Sequence, residues 1–175
     1  IENSLDANST ELAITIEKGG HQTIQVRDNG KGISSIDLPL SIMRFHTSKI
    51  KSLNDLFEIG TLGFRGEALA SIASVSEMKI ISSVDEKEGA SIEILGGSHN
   101  GIEPAPIING TEITVRNLFY NTPVRKKFLK TPRTELRKIV DVVRRYGLAY
   151  PERSFKLVAD GREIFNLGNE NLEQR

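Results

Sequence analysis

The sequence predicts an α+β fold, a two-layer sandwich in which a mixed, mostly antiparallel sheet carries helices on one face. Three observations lead there. Strand-like alternation runs into glycine turn signals and resumes after them, as with Leu12, Ile14 and Ile16 before Gly19-Gly20 and Phe155 to Ala159 before Asp160-Gly161. Helical stretches separate these hairpins, which favours helices packed on an antiparallel-rich sheet. A length of 175 residues with 38% hydrophobic content supplies one ordinary core, so a single domain is expected over 1–175.

The elements follow in order. Ile1 to Ala7 reads as the tail of a helix. Ile1-Glu2-Asn3-Ser4-Leu5 has no N-cap before it and Ile1 is not an initiator Met, so the chain reads as a fragment cut inside an element. Glu11 to Lys18 alternates as a strand, and Gln22 to Arg27 returns beside it. Asp28 to Gly32 turns the chain. Ile36 to Phe45 is a short helix entered through Pro39. Arg44 to Gly66 is polar and irregular apart from a helical piece at Leu53 to Phe57, and so long a connection suggests a functional lid, poorly ordered without its ligand. Glu67 to Ser74 is helical. Lys79 to Val84, Ala90 to Leu95 and Glu112 to Leu118 are strands. Thr134 to Tyr150 is the longest helix, with Leu136, Ile139, Val140, Val143 and Leu148 as its apolar stripe. Phe155 to Ala159 and Glu163 to Leu167 form the last hairpin.

Composition removes several function classes. Without cysteine there is no disulfide framework, thiolate metal site or thiol nucleophile. No apolar run reaches membrane-spanning length and no signal peptide is visible. Net charge is zero but uneven. Arg116, Arg125, Lys126, Lys127, Lys130, Arg133, Arg137, Lys138, Arg144 and Arg145 face only Glu135 and Asp141, a balance of +8. Such a segment is either a nucleic-acid footprint or a solvated helix face.

Two stretches carry chemistry. Asp28-Asn29-Gly30-Lys31-Gly32-Ile33 places a carboxylate beside two glycines at a strand end. Gly63-Phe64-Arg65-Gly66-Glu67-Ala68-Leu69-Ala70-Ser71-Ile72 is a glycine-rich turn running into a helix, whose unpaired N–H groups suit a phosphate. Together they outline a nucleotide site. Read alone, the first is an ordinary tight turn and the second a loop before a helix. The glycine pattern of a doubly wound fold and the Gly-Lys-Ser/Thr end of a P-loop are both missing, so phosphate is cradled in another way.

Ile1-Glu2-Asn3-Ser4-Leu5-Asp6-Ala7, the two stretches above and Gly110-Thr111-Glu112-Ile113-Thr114-Val115 stand in an order that resembles the ATPase domain of MutL DNA mismatch repair proteins. That family shares the Bergerat-type (GHKL) ATP-binding fold with type II topoisomerases, the heat-shock chaperone and histidine kinases. Gly63 to Ile72 and Asn117-Leu118-Phe119-Tyr120-Asn121-Thr122-Pro123-Val124-Arg125-Lys126-Lys127-Phe128-Leu129 are similar to signatures of MutL itself.

The resemblance implies ATP and Mg²⁺ as ligands. It makes Asn3 the magnesium ligand, with Ala7 small enough for a nucleotide to lie close and Asp6 a supporting residue. Asp28 would accept the adenine amine, since an ionised carboxylate only accepts. Thr111 would complete that contact, while Gly30, Gly32 and Ile33 would let the backbone approach the base. Thr47, Ser48 and Lys49, with the amides of Gly63, Phe64, Arg65, Gly66, Glu67, Ala68 and Leu69, would surround the phosphates. Arg65 would either contact phosphate or anchor the closed lid.

The family's general base is a glutamate one helical turn before the magnesium Asn. That position lies upstream of Ile1, and Glu2 points about 100° away, so the fragment is expected not to turn over ATP. The transducer-like domain that follows in the family is absent as well. The parent is implied to be a slow ATPase that forms an ATP-dependent homodimer or heterodimer. It would couple a mismatch-recognition protein to a repair endonuclease and helicase, with weak DNA contact and no membrane. It would be cytoplasmic in a bacterium or nuclear in a eukaryote. The alternative is a non-catalytic DNA-binding or scaffold module using 116–145.

Overall fold

The computed structural model describes residues 1–46, 62–63, 66–84, 87–171 and 173. The part of the expected lid at 47–61, with its helical piece, and Phe64 and Arg65 lie outside the described residues.

Alternation along the chain becomes one eight-stranded sheet. Its strands are β1 (Glu11–Glu17), β2 (Thr23–Asp28), β3 (Glu77–Val84), β4 (Glu88–Leu95), β5 (Ser98–Ala105), β6 (Gly110–Arg116), β7 (Ser154–Ala159) and β8 (Arg162–Leu167). The spatial order is β5-β4-β3-β6-β2-β1-β7-β8. β1 and β7 pair in parallel, and every other neighbouring pair is antiparallel. Among the described residues the α-helices are α1 (Glu2–Asp6), α2 (Leu38–Ser41), α3 (Ala68–Ala73), α4 (Pro123–Lys127) and α5 (Pro132–Ala149), with a short 3-10 turn at Lys18–Gly20.

Register makes one face of the sheet continuous. Ile92, Ile80, Ile113, Val26, Ile14 and Leu157 are successive cross-strand partners, so their side chains share a face. Ile94, Met78, Val115, Ile24, Ile16 and Ala159 form a second row on it. Helices cover that face in two groups. Leu5 of α1 and Val143 of α5 pack with Leu12, Ile14, Ile16, Phe155 and Leu157. Leu38 of α2 and Ala73 of α3 pack with Met78, Ile80, Ile92 and Val115. The opposite face is polar, with Gln25 donating to Glu112 and Lys79 paired to Glu93. This is the two-layer α+β architecture expected from the sequence.

Several details differ from the sequence expectation, and of the helix expected at Ile36 to Phe45 only Leu38–Ser41 is α-helical. β5 is absent from it, because Ser-His-Asn-Gly-Ile-Glu-Pro-Ala is mostly exposed and alternates nothing. It pairs only with β4 at the sheet edge, where Pro104 leaves no interior donor missing. The turn into it uses Gly96 and Gly97, both at positive φ, the signature of a tight hairpin. α4 also went unforeseen, since no residue of it is buried and no apolar stripe marks it. α5 starts at Pro132, with Thr131 as N-cap accepting from Thr134 N–H, rather than at Thr134. Its stripe leaves Val143 through Tyr146 and Gly147 to Tyr150, three and four residues on, and Leu148 is exposed.

Candidate functional site

The inner face is apolar except at one end. Leu12 pairs with Asp28, Asp28 with Thr111 and Thr111 with Ser82, so Asp28, Thr111 and Ser82 stand side by side across β2, β6 and β3. All three are buried, at 8%, 7% and 1% exposure. A buried carboxylate between Leu12 and the Thr111 hydroxyl is costly unless something donates to it. Among the described residues the Asp28 carboxylate accepts from Gly30 N–H at 2.9 Å through Oδ1. The rest of its acceptor capacity makes this end of the face a natural floor for a ligand that carries N–H donors.

The turn after Asp28 is held by its own chemistry. Asn29 Oδ1 accepts from Thr10 N–H (2.8 Å) and Glu11 N–H (2.9 Å), and its amide donates to Thr10 Oγ1 at 2.8 Å, which pins the turn to the start of β1. A Cβ on Gly30 would stand 2.7 Å from the Ala7 methyl, and Lys31 N–H donates to Ala7 O at 3.0 Å. Gly32 has φ +73°, and a Cβ there would collide with the Ser83 carbonyl. Both glycines, and the small Ala7, are therefore required by packing between α1, the turn and β3. Gly110, at φ +87°, likewise leaves no room between β6 and the Asp28 backbone. Ile33 N–H donates to Ser82 Oγ at 2.8 Å, and the Ile33 side chain packs on the α2–α3 half of the core.

α1 forms one wall. Leu5 anchors it in the core, and Ser4 is buried with it. Asn3 lies on its exposed side. Glu2 turns elsewhere, its Oε1 accepting from the Tyr146 hydroxyl of α5 at 2.6 Å. Asp6 reaches forward, its two carboxylate oxygens accepting from Leu62 N–H (3.0 Å) and Gly63 N–H (3.1 Å). It thus ties α1 to the glycine-rich loop.

The loop then enters α3. Gly66 sits at φ +63° against the His46 backbone, Glu67 is the N-cap, and Ala68 and Leu69 begin the helix, with Leu69 packed on the core. Thr47, Ser48, Lys49, Phe64 and Arg65 lie outside the described residues. The structure thus brings Asp28, Gly30, Gly32, Ile33, Ala7 and Thr111 together at one sheet end. Asp6 links α1 to Gly63.

Sequence reasoning missed Ser82. Its Oγ lies 3.0 Å from Gly110 O and 2.8 Å from Thr111 Oγ1. A lone serine in a strand carries no motif. The usable signal was Ser82 standing where the inward series Met78, Ile80 calls for a third apolar residue. The Asn117–Leu129 stretch also acquires a place. Asn117 and Phe119 adopt positive φ, Phe119 N–H donates to Val75 O, and Asn121 donates to Ser74 O, so this loop clamps the end of α3.

An ATP-binding architecture of the GHKL type is what this sheet, helical layer and sheet-end pocket define. The profile of the histidine kinase-, DNA gyrase B- and HSP90-like ATPase family matches residues 1–99, and the chain belongs to that family. Within it the likeness is to MutL. The chain is 52% identical over 165 residues to the DNA mismatch repair protein MutL of Streptococcus uberis, covering 94% of this chain and 25% of that protein. It is 47% identical over 175 residues to MutL of Lactobacillus helveticus, covering 99% and 28%. The chain therefore spans about a quarter of the length of these relatives. In three dimensions it is similar to the Aquifex aeolicus MutL ATPase domain complexed with ADP, with TM-score 0.77 and 37% identity over 99% of this chain and 62% of that one.

Proposed function

We propose that this chain is the nucleotide-binding domain of a mismatch repair ATPase. ATP binding closes its lid and pairs two such domains, and slow hydrolysis resets them. The observation that carries the nucleotide reading is the buried row Asp28–Thr111–Ser82, the polar end of an apolar face, walled by α1 and the turn at Gly30 and Gly32. In this reading Asp28 accepts the adenine amine and Thr111 supports the neighbouring ring position. The amides that follow Gly63 approach the phosphates, with Thr47, Ser48 and Lys49 completing that end. Solved relatives support it, since the Aquifex aeolicus domain is described in complex with ADP.

Magnesium fits the donor set as an ion carried by the nucleotide. Among the described residues no three His, Cys, Asp or Glu side chains cluster as a cage. Mg²⁺ takes most of its octahedron from phosphate oxygens and water, and one hard carbonyl oxygen such as that of Asn3 suffices from the protein. Coupling to a mismatch-recognition protein, endonuclease and helicase belongs to the parent in this proposal. The ten cations of 116–145 are all exposed, which leaves them open to phosphate contact.

The test is a calorimetric titration with ADP and Mg²⁺. Asp28→Asn replaces an acceptor oxygen with a donor amide opposite adenine's own donor, and affinity should fall by about 1–3 kcal/mol. Equal affinity of the two proteins would remove Asp28 from the site.

A further inference from the structure

We infer that Tyr146 is a positioning residue of the nucleotide site, its hydroxyl setting the first turn of α1 and with it the Asn3 side chain that would meet the magnesium ion. The inference rests on the nucleotide reading above and deepens it. Tyr146 belongs to α5 and stands 144 residues from Glu2 in sequence. Its ring is a fixed post. It packs on the core cluster of Leu5, Leu12 and Val143, and it stacks on Tyr150 with ring centroids 6.4 Å apart and planes 17° from parallel. From that post the hydroxyl donates to Glu2 Oε1 at 2.6 Å. Donation to an ionised oxygen is the short, strong kind of hydrogen bond.

α1 is five residues long and no side chain caps its start. So short a helix takes its orientation from what its flanks touch. Its C-terminal end is held from several sides. Leu5 is buried in the core, Arg153 Nη1 donates to the carbonyls of Asn8 and Ser9, and Ala7 O accepts from Lys31 N–H at 3.0 Å. On the first turn Tyr146 does this work through Glu2. Asn3 lies one turn before Ala7 on the same face, and Ala7 abuts the turn at Gly30. Glu2 points about 100° away from Asn3 around the helix. A bond that fixes the direction of Glu2 therefore fixes the roll of the first turn, and keeps Asn3 on the side of the Gly30 turn rather than of α5. Without it the first turn is free to roll and fray while Leu5 to Ser9 stay in place.

The readout is the gain in ADP affinity that Mg²⁺ confers, the ratio of the dissociation constants measured by calorimetry in EDTA and in Mg²⁺. Tyr146→Phe keeps the ring, its packing and its stacking, and removes the donor alone. It should cut that gain by about fivefold. It should leave ADP binding in EDTA unchanged, which also reports that the variant is folded. Glu2→Ala should reproduce the loss, and the double variant should lose no more, as the two partners of one contact do. Glu2→Gln keeps an acceptor oxygen for the tyrosine and should retain the wild-type gain. A fall shared equally by both conditions would reduce Tyr146 to a stabilising contact and overturn the inference. So would a full gain in Tyr146→Phe, or a loss in Glu2→Gln as large as in Glu2→Ala. A wild-type chain that binds ADP and gains nothing from Mg²⁺ would instead withdraw the magnesium part of the nucleotide reading, and one that binds no ADP the whole of it, with this inference falling in either case.

Discussion

At the scale of single residues, the site is built from groups that packing already demands. Gly32 turns left-handed against β3, and any side chain there meets the Ser83 carbonyl. Gly32→Ala should cost at least about 2 kcal/mol of stability, from the left-handed conformation and the collision together. Urea midpoints of the two proteins measure it, and a change below a few tenths would mean the turn can relax. Tyr146 makes a second residue-scale case. Burial and donation to Glu2 push its hydroxyl up to about 12. A tyrosine in the unfolded chain titrates near ~10. The folded state thus holds this proton more tightly. The resulting stability is whole below about pH 10 and drains away as pH climbs through about 12. Tyr146→Phe should flatten stability between about pH 10 and 12, and an unchanged slope would count against the contact. Asp28 and Thr111 were readable from the sequence because each sits in a block with a family spacing. Ser82 and the grip of Asp6 on Leu62 and Gly63 were not, because they depend on neighbours 28 or 29 residues and 56 or 57 residues away.

At the scale of elements, periodicity was legible wherever burial is one-sided. β1 reads as alternating exposed and buried, and its sequence does the same with Leu12, Ile14 and Ile16. β5 and α4 bury almost nothing, so hydrophobic patterning had no purchase on them. α5 shows both outcomes. Its Val143 is 2% exposed in the β1–β7 half of the core, while Leu148, five residues on, points about 140° away and is 49% exposed. Val143→Ala should therefore cost about 1–3 kcal/mol. Leu148→Ala should stay within about 0.5 kcal/mol. Thermal or urea denaturation of the pair decides it, and the reverse ranking would put the helix in another phase.

At the scale of the whole molecule, the architecture places one polar strip at the end of an otherwise apolar sheet face and leaves the basic residues of α4 and α5 on the outside. Those two regions correspond to the two functions the sequence allowed, a nucleotide pocket and a charged docking surface. The fold was legible because four blocks of residues keep a fixed order along the chain. The balance between the two functions was not, because charge alone does not distinguish a solvated helix from a binding face. Backbone amide shifts recorded during titration with ADP and Mg²⁺ weigh them directly. The account predicts the largest changes at Asp28 to Ile33, Ser82, Gly110, Thr111, Leu62 and Gly63, with α4 and α5 silent. Changes concentrated on Arg125 to Arg145, with Asp28 and Thr111 unmoved, would contradict it.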